Sequence, residues 1–188
     1  MKSSLDAAFD PESFRALSHQ VVDLLADHLR DTLSGKGPVP GEADPDKEYA
    51  FWQARVEEGD GGVFGFLKDF LARSIRLHHP RYTGHQVCAP APVAALAGFV
   101  GELLNNGMAV YEMGPAATAL ERMVIERTAH LLGLPEGAGF LTSGGTLGTL
   151  SALLGARSVQ LGDGALHEGT VPRWAVMASE EAHYCTAR

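Results

Sequence analysis

The sequence predicts an α/β protein in which an N-terminal helical arm is followed by the start of a parallel-type sheet. Residues 1–77 show helical spacing of apolar side chains and no evident strand. Residues 138–178 show the order strand, helix, strand, which in a parallel sheet makes a right-handed crossover. Two strands leave such a sheet incomplete. We therefore expect an arm over residues 1–77 and the first part of a larger domain over residues 78–188.

Composition excludes several classes of function. The chain of 188 residues has 23 acidic against 15 basic residues, a formal charge of -8, which argues against a nucleic-acid partner. The two cysteines, Cys88 and Cys185, provide neither a disulfide framework nor metal spacing. The first ten residues lack the apolar core of a signal peptide, and the apolar stretch 93–104 is too short to span a bilayer. We expect a soluble, cytoplasmic protein with no metal site and no membrane partner.

The arm is predicted from capping and periodicity. Asp10 and Pro11 are typical of a helix start, and Gly35 of a helix end. The apolar positions of this first helix share one face: Phe14, Leu17, Val21, Leu24, Leu25 and Leu29. Two shorter helices are predicted at 47–57 and 63–77. So many apolar side chains without a strand indicate an arm that packs on another body.

The remaining elements follow in order along the second part of the chain. They are helices at 93–105 and 115–132, a strand at 138–141, a turn at 142–146, a helix at 147–157, a second strand at 173–178 and a helix from Glu180 onward.

The turn at 142–146 carries the sharpest chemical signal. A glycine-rich turn that opens a helix exposes unpaired backbone N–H groups at the positive end of the helix dipole. With the Thr146 hydroxyl as a further donor, this arrangement suits a phosphate monoester. No lysine follows the glycines, and the pattern is not that of a dinucleotide-binding loop. The alternative is a plain turn in which Thr142 or Ser143 caps the helix.

Histidines mark two further candidate positions. His183 follows the second predicted strand, so it falls at the same sheet edge as the turn, where its ring could stack on a flat heteroaromatic ligand. The alternative is a surface histidine in a first helical turn. His85 and Gln86, in the loop after His79, could contact a polar substrate or could simply be hydrated.

Four segments, taken in order, resemble the group II pyridoxal-phosphate-dependent decarboxylases, the family of glutamate and aromatic amino-acid decarboxylases. The segments are His79-Pro80-Arg81-Tyr82; Tyr111 to Ala116 with Leu120-Glu121; Gly139 to Thr146 with Ala152 to Arg157; and Ser179 to Tyr184. Each segment is weak by itself, but the four in this order are specific. The resemblance runs from about residue 10 to the end of the chain.

This resemblance implies an aspartate-aminotransferase-like fold (fold type I) that works as a homodimer, with the arm packed across the dimer. It implies pyridoxal 5′-phosphate as the cofactor and an amino acid as the substrate. The residues it assigns to the cofactor are Ser143, Gly144, Gly145, Thr146 and His183. It places His85 and Gln86 near the substrate.

The sequence departs from the family pattern in one respect. The family's later elements are an aspartate that pairs with the pyridine nitrogen and a His-Lys pair whose lysine forms the Schiff base. The lysines here, Lys2, Lys36, Lys47 and Lys68, lie in no matching context. We therefore expect a truncated carboxy-lyase that is inactive by itself. The alternatives are another fold-type I enzyme, such as an aminotransferase or a desulfurase, and a non-catalytic chain that only associates.

Overall fold

Helices dominate the part of the chain that the structure describes. The computed structural model describes residues 6, 8–37, 43–59, 61–161 and 175–186. The α-helices within these ranges are α1 (Pro11–Leu33), α2 (Pro45–Glu58), α3 (Gly62–Arg73), α4 (Pro92–Leu104), α5 (Pro115–Leu131) and α6 (Gly145–Leu161). Two short 3-10 helices span Tyr111–Met113 and Tyr184–Thr186. The prediction of a helical N-terminal region is confirmed.

Asp-Pro pairs set the starts of the first two helices. The Asp10 side chain accepts a hydrogen bond from the backbone N–H of Ser13 at 2.9 Å, and Pro11 takes the first helical position. Asp44 caps α2 in the same way, so α2 begins at Pro45 rather than at the predicted residue 47. Gly35, with φ +71°, follows the end of α1 as predicted.

Helices α2 and α3 are held together by one aromatic side chain and two ion pairs. The Trp52 ring lies 5.1 Å from the ring of Phe66, centroid to centroid, and the two rings are tilted by 53°. Helix α3 also packs against α1. In the first ion pair, Arg55 binds Asp69 at 2.6 Å. In the second pair, Arg73 binds Glu48 at 2.8 Å, and this contact lowers the pKa of the Glu48 carboxyl.

Helix α3 ends four residues before its predicted end. Ser74 is already extended, with ψ 148°, and the chain then turns through residues 76–82. In this turn the His79 side chain is buried, and its Nδ1 accepts the backbone N–H of Arg81 at 3.1 Å. The His79 side chain therefore lies inside the structure.

The chain divides into two compact units, residues 1–98 and 99–188, and α4 crosses the division. The predicted boundary between residues 77 and 78 stays a prediction. Every residue of α4 is exposed, including Val93 at 72% and Leu103 at 64%. No helix in the described ranges is long and apolar enough to cross a membrane.

The two predicted strands do not form a ladder. Residues 138–141 and 175–178 carry no regular secondary structure, and residues 173 and 174 lie outside the described ranges. A strand is defined by pairing with a neighbour, and the Leu141 N–H donates instead to the Glu121 carboxylate at 2.8 Å. No strand therefore occurs in the described part of the chain.

The helix predicted from Glu180 onward was also wrong over the described residues. Ser179 makes a turn instead: its carbonyl accepts the Ala182 N–H at 3.0 Å, and its hydroxyl accepts the Glu181 N–H at 3.2 Å. A serine hydroxyl that bonds its own backbone two residues on competes with a helix in this way. The short 3-10 helix Tyr184–Thr186 follows.

Apolar side chains are mostly uncovered. Ala129 is the one buried hydrophobic side chain among the described residues. The stripe predicted on α1 is exposed at Phe14 and Leu25, by 43% and 45%. Each unit consequently contains helices whose apolar faces are not covered by other residues of the same unit.

Candidate cofactor-phosphate site

The turn before α6 has the geometry of an open helix N-terminus. The first intrahelical hydrogen bond runs from the Gly148 N–H to the Gly144 carbonyl at 3.1 Å. The Thr142 hydroxyl donates to the same carbonyl at 3.0 Å, which ties the turn to itself. The N–H groups of the first turn, from Gly145 and Thr146 onward, are those for which a helix provides no internal acceptor. These N–H groups form the positive end of the helix dipole.

A hollow of about 370 Å³ lies beside this helix start. It is lined by Gly145, Thr146, Thr149, His183, Tyr184 and Cys185. Its two sides come from α6 and from the 3-10 helix Tyr184–Thr186, which pack against each other. The fold thus brings Gly145 and Thr146 together with His183, which is distant in sequence. Gly145, Thr146, His183 and Tyr184 are all exposed, so the hollow is open to solvent.

His183 is oriented by its neighbours. Its Nδ1 accepts the backbone N–H of Cys185 at 3.3 Å, so the neutral ring carries its proton on Nε2. Its ring centroid lies 4.2 Å from that of Tyr184, with the planes tilted by 35°. Two contacts therefore fix the ring at the rim of the hollow.

Three lining residues were missed from the sequence: Thr149, Tyr184 and Cys185. Thr149 could have been found, because it lies three residues after Thr146 and so shares its helix face. Cys185 is a free, half-buried thiol. Tyr184 could have been found as the direct neighbour of the predicted His183.

The other predicted residues lie elsewhere. Ser143 and Gly144 form the bend before α6 and precede the lining residues. His85 and Gln86 are exposed bend residues of the first unit, where the His85 carbonyl accepts the Val87 N–H at 2.7 Å. Within the described residues, no group of three or more His, Cys, Asp or Glu side chains could hold a metal.

Several known proteins similar to this chain are named as amino-acid decarboxylases. Tyrosine/DOPA decarboxylase 2 of Papaver somniferum is 32% identical over 191 residues, covering 93% of this chain and 34% of the relative. A glutamate decarboxylase-like protein of Gibberella zeae is 28% identical over 172 residues, 88% of this chain and 33% of the relative. The chain belongs to the group II pyridoxal-phosphate-dependent decarboxylase family. No family model matches the chain.

Two further facts bear on this group II decarboxylase chain. It spans about a third of the length of these two curated relatives, 34% of one and 33% of the other. The relatives' names also differ in substrate: an acidic amino acid decarboxylase of Xenopus tropicalis is 28% identical over 119 residues, 62% of this chain and 23% of the relative. Similarity to both acidic and aromatic types does not select one amino acid.

Proposed function

We propose that this chain provides the phosphate-binding part of the cofactor site in a pyridoxal-phosphate-dependent amino-acid decarboxylase. The observation that carries the proposal is the hollow in which the start of α6 meets His183. Membership of the group II family supports the choice of cofactor. The hollow matches the two ends of that cofactor, because it combines an anion-binding helix start with an aromatic ring.

The phosphate end is assigned to the start of α6. The N–H groups of Gly145 and Thr146 would donate to phosphate oxygens, and the positive end of the dipole, about half an elementary charge, favours the anion there. The Thr146 and Thr149 hydroxyls line the same hollow and add donors. Ser143 and Gly144 would complete the approach to the phosphate from the preceding bend.

The flat end is assigned to His183. The contacts with Cys185 and Tyr184 hold its imidazole at the rim, so the ring can cover one face of a heteroaromatic ligand and exclude water from it. When bound, pyridoxal phosphate supplies an electron sink for the carbanion left by loss of the carboxylate. The role of His183 is to orient that ring system and to limit its tilt.

The remaining assignments concern the whole protein. We assign His85 and Gln86 to the substrate pocket, an amino acid to the substrate, and the fold-type I sheet and homodimer to the complete assembly. Family membership supports these assignments. A cytoplasmic location belongs to the same proposal.

The chain is not expected to complete the reaction from these residues. The second unit, residues 99–188, contains no lysine, so its hollow offers no amine to attach and release the cofactor. We expect no release of carbon dioxide from labelled amino acids by this chain with added pyridoxal phosphate, measured against a heat-treated control.

Cofactor binding tests the proposal. The probe is pyridoxamine 5′-phosphate, which has no aldehyde and therefore cannot react with surface lysines, followed by calorimetric titration. We expect His183→Ala to weaken binding about two- to tenfold through lost ring contact, and His183→Phe to retain most of the affinity. His130→Ala, at an exposed position on α5, is the matched control and should bind like the wild type.

The same titration with a second probe, which lacks the phosphate, tests the phosphate assignment. Pyridoxamine without the phosphate should bind far more weakly than pyridoxamine 5′-phosphate. Equal binding of the two probes, or a wild-type chain that binds neither, would contradict the proposed site.

A further inference from the structure

Residues 137–141 lie along one ridge of α5 and run in the opposite direction. A Cβ atom at Gly137 would lie 3.1 Å from the Ala129 Cβ, and one at Gly139 would lie 3.6 Å from the Ile125 Cγ2. The third contact is the hydrogen bond from the Leu141 N–H to the Glu121 Oε1 at 2.8 Å. Alternate residues of the segment thus meet every fourth residue of the helix.

The contacts stay in register because two residues of the segment and four residues of the helix advance by similar distances. Two residues of extended chain advance about 6.6 Å, whereas four residues of helix advance about 6 Å. Over residues 137–141 the two repeats stay nearly in step, so all three contacts form together. A shift of the segment by one residue would turn its other face to α5 and break them all.

Glycine at 137 allows the close approach at the start of the segment. A Cβ atom there would lie 3.0 Å from the Leu134 carbonyl oxygen as well as 3.1 Å from Ala129, so a larger residue must displace a neighbour. The Gly137 N–H donates to that same carbonyl at 2.8 Å. This end of the segment is therefore held by close backbone packing.

The other end is held by Glu121, half-buried on α5. Its carboxylate is a charged acceptor, and such hydrogen bonds are shorter and stronger than those between neutral groups. Leu141 immediately precedes Thr142, whose hydroxyl ties the turn to the Gly144 carbonyl. A short path of bonded backbone therefore connects Glu121 to the start of α6.

We propose that Glu121 is a positioning residue for the turn at 142–146: it anchors the end of segment 137–141 and so fixes where the N–H groups of Gly145 and Thr146 point. Glu121 lines no part of the hollow itself, so it would act through Leu141. The identity of the ligand rests on the proposed function, whereas the anchoring of the turn does not.

Hydrogen–deuterium exchange of the peptide 138–146, resolved to single residues by mass spectrometry, tests the anchor. In Glu121→Leu the Leu141 amide should exchange about tenfold faster, because it loses a charge-assisted hydrogen bond. Glu121→Gln keeps an oxygen at the same reach and should restore slow exchange. Glu121→Asp keeps the charge but falls short, so it should resemble the leucine variant.

Glu126→Leu is the matched control, since Glu126 lies on the same helix and pairs with Arg122 at the surface. Leu141 exchange in this variant should equal that of the wild type. Unchanged Leu141 exchange in both Glu121→Leu and Glu121→Asp would overturn the anchor. Circular dichroism checks that each variant is folded. If Glu121→Leu does not fold, Leu141 exchange in Glu121→Asp decides whether Glu121 is the anchor.

Affinity for pyridoxamine 5′-phosphate separates positioning from mere packing. We expect Glu121→Leu and Glu121→Asp to bind about tenfold more weakly, with Glu121→Gln close to wild type. Faster Leu141 exchange with unchanged affinity would overturn the positioning role. If the wild type binds no probe, the proposed function fails, and amide exchange then tests the positioning of the turn by itself. Unchanged exchange at Gly144 to Thr146 in Glu121→Leu and Glu121→Asp would overturn that positioning.

Discussion

Individual residues of the candidate site act mainly through their backbone. Gly145 and Thr146 contribute N–H groups, which any residue but proline provides, so the place of the helix start matters more than the side chains. His183 is different, because its ring is the feature that would contact a ligand. Its neighbours Tyr184 and Cys185 orient it through a ring contact and a backbone N–H. Substitutions at Tyr184 should therefore act on the tilt of His183.

The protonation of His28 on α1 links stability to pH. Burial lowers the pKa of the His28 imidazole, and the nearby positive charge of Arg76 lowers it further; His78 acts in the same direction and Asp31 opposes them. The folded chain therefore holds His28 neutral at pH values where the unfolded chain binds a proton. The free energy of unfolding should decrease as pH falls from about 6.5 through the lowered pKa of the folded state.

Urea unfolding followed by circular dichroism at pH 7.5 and pH 5.5 measures this dependence. His28→Asn should lose less stability than the wild type between the two pH values, because the titrating imidazole is gone. His19→Asn, on the exposed side of the same helix, should keep the wild-type difference. An identical pH dependence in His28→Asn and wild type would contradict the assignment.

Among the secondary-structure elements, α1 to α6 were predictable from the sequence, whereas the two strands and the helix from Glu180 were not. Asp10 and Pro11 fixed the start of α1, and Asp44 with Pro45 carried the same signal for α2. The segments at 138–141 and 175–178 are as apolar as buried strands, but a strand exists only when a second backbone accepts and donates its hydrogen bonds. In the described residues the Glu121 carboxylate takes the Leu141 N–H instead.

Two glycines with open surroundings give an element-scale prediction. A Cβ at Gly133 or at Gly155 would meet nothing within 4 Å, but Gly133 has φ +77° after α5 and Gly155 is inside α6. Gly133→Ala should lower the free energy of unfolding by about 1–2 kcal/mol, the usual cost of left-handed backbone. Gly155→Ala should raise it by about 0.5–1 kcal/mol through helix propensity.

Chemical unfolding of both variants under one set of conditions measures this contrast. Because neither new methyl group makes a contact, the comparison isolates backbone conformation. Equal effects of the two substitutions would show that the turn after α5 relaxes freely, and the segment that follows it would then have no fixed start.

At the scale of the whole molecule, the uncovered apolar faces should drive association. All of α4 is exposed, and Leu131 at 81% and Val159 at 82% show that exposed apolar side chains also occur outside that helix. Contiguous apolar surface above a few hundred Å² is uncommon on monomers. The charge of -8 aids solubility without covering such a face. We expect an oligomeric or aggregating species rather than a monomer of 20.0 kDa.

Multi-angle light scattering at micromolar concentration checks this expectation. Leu103→Glu should reduce the associated fraction by placing a charge on the exposed face of α4. Asn106→Glu adds the same charge at an exposed polar position just after α4 and should leave association unchanged. A monodisperse wild-type monomer that melts cooperatively would show that the described units cover themselves sufficiently.

The sequence by itself determined the N-terminal helices, the glycine turn before α6 and the family, because caps, periodicity and ordered motifs are local properties of the chain. It also placed Gly145, Thr146 and His183 among the candidate residues. Only the tertiary structure decided that these residues line one hollow, that Thr149, Tyr184 and Cys185 share it, and that Glu121 holds the Leu141 N–H. These contacts depend on how α5, α6 and the turn at Ser179 pack, and packing joins residues that no local pattern relates.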